Sequence, residues 1–287
     1  MAKIIKSQQT TDNRQQFFFL GMKNLFLTFV SHKFQQTIFM KNSIFNKLSL
    51  IIIFSLLVSS CEKAPLTNGK VTTEVREFSE HISSLYVYDD IDLTLIEDES
   101  FRIEITTGEN LMEKITSEVI NGALYLRNDN IRNWARSYDY PLEIKVYHNN
   151  INHINYKSWG FLKTEGLLSK DTISDFSLYA EQGSGDINIQ LNCKNLNINV
   201  NDGTAKVTVS GSSDYTYLRN RGTSPINTLE LTSKDARTEI HYIGSIYVNC
   251  TNKLDAFIYN FGNIYYKGAP ELNIYEHPLY NGKVLPY

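Results

Sequence analysis

The stretch from Gly183 to Val209, GSGDINIQLNCKNLNINVNDGTAKVTV, decides the fold. Its apolar residues alternate with polar ones in short groups: Ile187, Ile189 and Leu191, then Leu196, Ile198 and Val200, then Ala205, Val207 and Val209. Alternation with period 2 is the mark of a β-strand that buries one face. Turn formers fill the gaps, Gly183-Ser184-Gly185-Asp186 before the first group and Asn201-Asp202-Gly203 after the second. Such residues suit corners, where the backbone must enter left-handed or bridging conformations.

The pattern continues toward the C-terminus. Gly211-Ser212-Ser213-Asp214 precedes Tyr215 and Tyr217, and further units centre on Leu229 and Leu231, Ile240 and Tyr242, Ile246 and Val248, Ala256 and Ile258, and Ile264 and Tyr266. Short strands separated by turns every 8–12 residues predict an all-β fold. The units differ little and repeat at roughly 20 residues per strand pair, which favours a solenoid whose coils share one core. The expected fold class is therefore all-β, a parallel β-helix or β-solenoid, with an antiparallel β-sandwich as the alternative.

Toward the N-terminus, Ile91, Leu93 and Leu95, then Phe101, Ile103 and Ile105, alternate in the same way, as do Leu124 and Leu126, and Leu142, Ile144 and Val146. Between Glu109 and Val119 the apolar Leu111, Met112, Ile115 and Val119 fall at helical spacing, predicting one short helix. Asn121-Gly122 reads as a turn and Asn128 to Tyr140 as a loop.

Further upstream the alternation gives way to a single apolar run. Leu48 to Val58 are preceded by Lys41 and Lys47 and followed by Ser59, Ser60 and Cys61. A basic flank, a short apolar core and small residues make an export signal. As a helix this run spans about 16 Å, well short of a hydrocarbon core of about 30 Å. It resembles the lipobox of bacterial lipoproteins, with Val58, Ser59 and Ser60 in the three positions before the modified cysteine. The resemblance implies lipidation at Cys61 and attachment to a membrane through that N-terminal lipid. Export signals occupy the N-terminal 15–30 residues, and Met40 stands directly before Lys41. Residues 1–39 thus read as a start-site artefact or an extension, 40–60 as the signal peptide, 61–83 as a tether, 84–270 as the β domain and 271–287 as a tail.

Charge divides at the same place: residues 1–60 carry a formal +6 and residues 61–287 a formal −9. An acidic domain without a basic cluster is not expected to bind nucleic acid, where phosphate neutralisation dominates affinity. Of the histidines beyond Cys61 (His81, His148, His153, His241 and His277), His148 and His153 lie close in sequence but have no acidic pair at ligand spacing. Gly-x-Ser-x-Gly, His-Glu-x-x-His and phosphate-loop motifs are absent from the sequence. No catalytic residue, metal ligand or cofactor is predicted.

Asp89, Asp90 and Asp92 crowd together, as do Glu97, Asp98 and Glu99; alternation sends Asp90 and Asp92 to the solvated face opposite Ile91. Cys193 and Cys250 could pair in an exported protein or sit reduced in the core. Tyr215, Tyr217, Tyr242, Tyr247, Tyr259 and Tyr265 are candidates to stack on sugars, with ordinary sheet packing as the competing role.

The corner Gly183-Ser184-Gly185-Asp186-Ile187 and the closing segment Gly262-Asn263-Ile264-Tyr265-Tyr266-Lys267-Gly268-Ala269-Pro270 resemble the putative auto-transporter adhesin, head GIN domain family. The chain departs from that pattern at Phe261, in place of a glycine, and at Asn263, where aspartate is usual. The resemblance spans residues 84–270, most closely 176–270. It implies a right-handed, parallel β-helix-like fold on a cell-envelope lipoprotein of the Bacteroidota type, anchored at the outer membrane. The expected function is a non-catalytic surface for adhesion or for binding a polysaccharide or protein. A carbohydrate-active lyase or hydrolase and a structural envelope spacer are the alternatives.

Overall fold

A computed structural model describes residues 67–131 and 140–287, which belong to the compact unit Ala64–Tyr287. The signal segment, Cys61 and most of the loop read at Asn128–Tyr140 lie outside the described residues.

The strands run in chain order as β1 (Val71–Glu77), β2 (Ser84–Asp89), β3 (Asp92–Glu97), β4 (Arg102–Gly108), β5 (Ile115–Ile120) and β6 (Ala123–Asn128). They continue as β7 (Glu143–His148), β8 (His153–Ser158), β9 (Leu162–Glu165) and β10 (Leu168–Ala180). Four long bent strands follow, β11 (Ile187–Val200), β12 (Val207–Asn220), β13 (Ile226–Ile240) and β14 (Ile246–Ile258), and the chain closes with β15 (Ile264–Lys267), β16 (Glu271–Glu276) and β17 (Val284–Pro286).

Two parallel ladders result. The first stacks β6, β2, β8 and β10, then the second halves of β11 to β14, then β16. The second stacks β7, β3 and β9, then the first halves of β11 to β14, then β15 and β17. This is a β-solenoid with parallel strands; the sandwich alternative fails because its sheets would be antiparallel. Antiparallel pairing is confined to one end, where β4 lies on β7, β1 on β4 and β5 on β6. The stacking there departs from chain order, since β2 is flanked by β6 and β8, and β3 by β7 and β9.

Inside, like residues stack on like. Ile187, Val207, Ile226, Ile246, Ile264 and Val284 form one column, and all but Val284 are fully buried. Slipping any strand by one residue would turn such a column to solvent, so the alternation itself holds the register. Asn220, fully buried, braces a corner: its carbonyl accepts from Gly222 N–H at 2.9 Å and its amide donates to Ser224 O at 2.9 Å. Next to it, corner backbones pass too closely for side chains. A Cβ on Gly244 would lie 2.6 Å from Ser224 O, and one on Gly262 2.5 Å from Gly244 O.

At the opposite bend a small polar column replaces aliphatic packing. Cys193, Ser213, Ser233 and Cys250 are successive register partners. Ser213 and Ser233 hydroxyls lie 3.0 Å apart, and Thr216 reaches them at 2.6 and 2.7 Å. The cysteines are therefore three strand steps apart, each about 4.8 Å, far beyond the ~7 Å Cα limit for a disulfide. Both are free and buried, and burial pushes the Cys193 thiol up to about 12. We expect a thiol reagent to leave both unmodified in the folded protein and to modify both in denaturant; equal labelling in both states would contradict this column.

Two other expectations change. The segment Glu109–Val119 contains only a single 3-10 turn, Met112–Lys114, and then enters β5. Leu111, Met112 and Ile115 are buried as the helical reading required. The spacing of four between Ile115 and Val119 suits period 2 equally, and β-branched Ile115, Thr116, Val119 and Ile120 favour a strand. The β structure also passes the boundaries drawn at 84 and 270. β1 falls within the segment read as tether, and β16 and β17 within that read as tail. β1 is almost wholly exposed, so it carries no alternating signal.

Candidate binding face

Alternation fixes which side chains leave the solenoid. On the first ladder, Tyr215, Tyr217 and Arg219 of β12 stand beside Asp235, Arg237 and Glu239 of β13, and these beside Lys253, Asp255 and Phe257 of β14. Glu239 is the hub. Its Oε1 accepts Arg237 Nε at 2.9 Å and Nη2 at 2.7 Å, and its Oε2 accepts His241 Nε2 at 3.2 Å. Burial pushes the Glu239 carboxyl up, but hydrogen bonds from Arg237, His241 and Tyr217 outweigh it and hold the group below the ordinary glutamate value. A carboxylate so engaged stays ionised and has no proton to donate near neutrality.

Aromatic side chains gather toward the C-terminal coils. Tyr259 stacks on His241 with centroids 4.7 Å apart and meets Tyr275 at 5.5 Å. Tyr247 stacks on Tyr265 at 4.9 Å, and Arg237 lies 4.6 Å over the Phe257 ring. Of the tyrosines singled out in the sequence, Tyr247, Tyr259 and Tyr265 thus spend ring faces on one another or on histidine, which is the packing role. Tyr242 is exposed at the corner. Tyr215 and Tyr217 stack on no other ring among the described residues; Tyr215 is 39% exposed, and burial, with Glu239 next, raises the Tyr217 hydroxyl. Sequence reading named His241 among the histidines without giving it a role, and missed Arg219, Arg237 and Glu239. The 20-residue period would have found them, because it places Arg219 beside Glu239.

The other sequence candidates separate. Asp89 Oδ2 accepts Asn128 N–H at 3.0 Å, Asp92 Oδ1 accepts Phe161 N–H at 2.9 Å, and Asp98 Oδ1 accepts Ser100 N–H at 2.9 Å. These acids close corners and turns. His153 Nδ1 pairs with Ser177 Oγ at 2.8 Å on the outer face, whereas His148 is buried in β7. Among the described residues, no three His, Cys, Asp or Glu side chains meet in a set that could hold a metal.

A solved putative adhesin from Bacteroides fragilis superposes with TM-score 0.69 at 21% identity, over 77% of this chain and 99% of that one. A putative adhesin from Parabacteroides distasonis gives 0.63 at 17% identity, over the same shares. A putative lipid binding protein from the same species gives 0.50 at 16% identity, over 75% of this chain and 94% of that one. At these identities the likeness is one of fold. No curated protein matches the chain. Residues 82–270 match the model of the putative auto-transporter adhesin, head GIN domain family, and the chain belongs to that family.

Proposed function

We propose that this protein is a lipid-anchored component of the cell envelope that uses the outer face of its solenoid for adhesion, by binding a polysaccharide or protein. The observation that carries this reading is the outward side of the first parallel ladder. Side by side on parallel strands stand Asn197 and Asn199 of β11, Tyr217 and Arg219 of β12, and Arg237 and Glu239 of β13. The family's adhesin description supports it, as does the export signal that ends at Cys61. We assign attachment to a lipid on Cys61, from the lipobox-like residues that precede it; no helix among the described residues is long and apolar enough to cross a membrane. We read the face as non-catalytic: Glu239, its most buried carboxylate, already accepts three hydrogen bonds from Arg237 and His241.

Cells expressing Cys61→Ser should accumulate an unacylated precursor, lose it from the membrane fraction and adhere less to coated surfaces. Unchanged lipid labelling and fractionation would contradict the anchor. Turnover of a glycan by the native protein would contradict the non-catalytic reading.

A further inference from the structure

We infer that the patch centred on Arg219 binds a carboxylate-bearing sugar chain, so that the ligand of the proposed binding face is an acidic polysaccharide. The inference rests on the adhesion reading and narrows it. Register places Asn197, Tyr217 and Arg237 in one outward row across β11, β12 and β13, and Asn199, Arg219 and Glu239 in the next. The ladder continues past the strand ends: Asn201 N–H donates to Ala180 O at 2.9 Å, Arg221 N–H to Val200 O at 2.8 Å and His241 N–H to Asn220 O at 2.9 Å. Asn201, Arg221 and His241 therefore form a third row. An otherwise acidic domain concentrates three guanidinium groups here, beside a column of three asparagines.

Arg219 is the unusual member. It is the register neighbour of Glu239, yet both oxygens of that carboxylate are taken by Arg237 and His241. The Arg219 guanidinium makes no hydrogen bond or ion pair among the described residues, and its Nε is buried without a partner. Buried donors are nearly always paired, and leaving a charged one unpaired costs stability. A ligand carboxylate would meet the guanidinium end-on, where its two Nη groups match a carboxylate in two parallel hydrogen bonds, and it would neutralise the charge that Glu239 leaves unpaired.

The surroundings suit a sugar. The buried Asn199 donates to Asn197 Oδ1 at 2.6 Å, which holds the half-buried Asn197 with its amide available to ring hydroxyls. Tyr217 adds an aromatic surface that no other ring covers. Within a row the side chains repeat at the strand spacing of about 4.8 Å, so successive polar rings of a polymer lying along a row meet successive strands. Peptides dock by adding a strand to a free edge or by filling apolar pockets, and β11, β12 and β13 are each paired on both sides. A nucleic acid would need a longer run of cations.

The test is calorimetric titration of the full chain in detergent micelles with polygalacturonate fragments. We expect saturable binding, weakened at least tenfold by Arg219→Gln and unaffected by Lys267→Gln on the other ladder. Arg219→Gln should unfold at the same or a higher temperature, since it removes an unpaired buried donor. Equal binding of methyl-esterified fragments would overturn the carboxylate assignment, and equal binding of polyglutamate would overturn the sugar. Wild-type affinity in Arg219→Gln would overturn the site. Binding of a neutral polysaccharide or a matrix protein in place of polygalacturonate would sink this inference and leave the adhesion reading standing. Binding as expected by a protein that is never lipidated would do the reverse.

Discussion

Gly185→Ala lowers the thermal midpoint by about 10 °C. The new Cβ would meet the Gly160 carbonyl and the Tyr156 hydroxyl, which itself donates to Gly160 O. Neither gives way easily. Tyr156 is fully buried, and Gly160 has its own approach to the backbone of Ile91 and Asp92. Overpacking of this kind costs roughly 1–3 kcal/mol or more, and each kcal/mol moves the midpoint of a domain this size by about 2–4 °C. Gly166→Ala is the control. At φ +87° nothing lies within 4 Å of its Cβ, so only backbone strain of about 1–2 kcal/mol remains. Thermal unfolding followed by circular dichroism compares them; equal losses would show that crowding at the 160/185 corner does not matter.

Acid weakens this fold through His148. The residue is 3% exposed, accepts Ile151 N–H on Nδ1 at 3.3 Å, and buries an Nε2 that has no partner. Burial pulls its pKa down from 6.5 to about 4. Below pH 6.5 the unfolded chain takes up a proton that the folded chain refuses, so stability falls as pH falls. The loss is complete near pH 4 and amounts to about 3 kcal/mol, at 1.36 kcal/mol per unit. His153, also lowered by burial, acts in the same direction. The lowered carboxyls of Glu181, Glu239 and Glu276 contribute only below their ordinary value of 4.5. His148→Leu should therefore start somewhat less stable at pH 7, having lost the Ile151 acceptor, yet show a flatter decline between pH 6.5 and 5. Parallel stability curves for the two proteins would remove His148 from this account.

The long C-terminal coils were legible in the sequence because each obeys period 2 and repeats near 20 residues. Ile187, Val207, Ile226 and Ile246 announce their own column. β1 was not legible, because an almost wholly exposed edge strand carries no apolar alternation. β5 was misread because a spacing of four fits a helix and a strand alike. The face itself was half legible. Tyrosines attract attention as single residues, and several proved to be spent on stacking. Arg219 and Glu239 acquire meaning only once the 20-residue period is converted into lateral neighbours, and no local motif records that conversion. Even then, that Glu239 pairs with Arg237 and His241 while Arg219 stays free depends on side-chain geometry.

The interleaved end of the solenoid has a consequence for how the chain acquires its structure. Coils from β10 onward can be laid down one after another, each on a finished predecessor, as nearest-neighbour stacking allows. The strands β2 and β3 cannot. One of their flanks is filled by β6 and β7 and the other by β8 and β9, so the first coil waits until the chain has emerged as far as Glu165. Closing those loops costs entropy before any contact repays it. Residues 84–165 should therefore fold as one cooperative block that serves as the seed, with the regular coils following as an ordered extension from it.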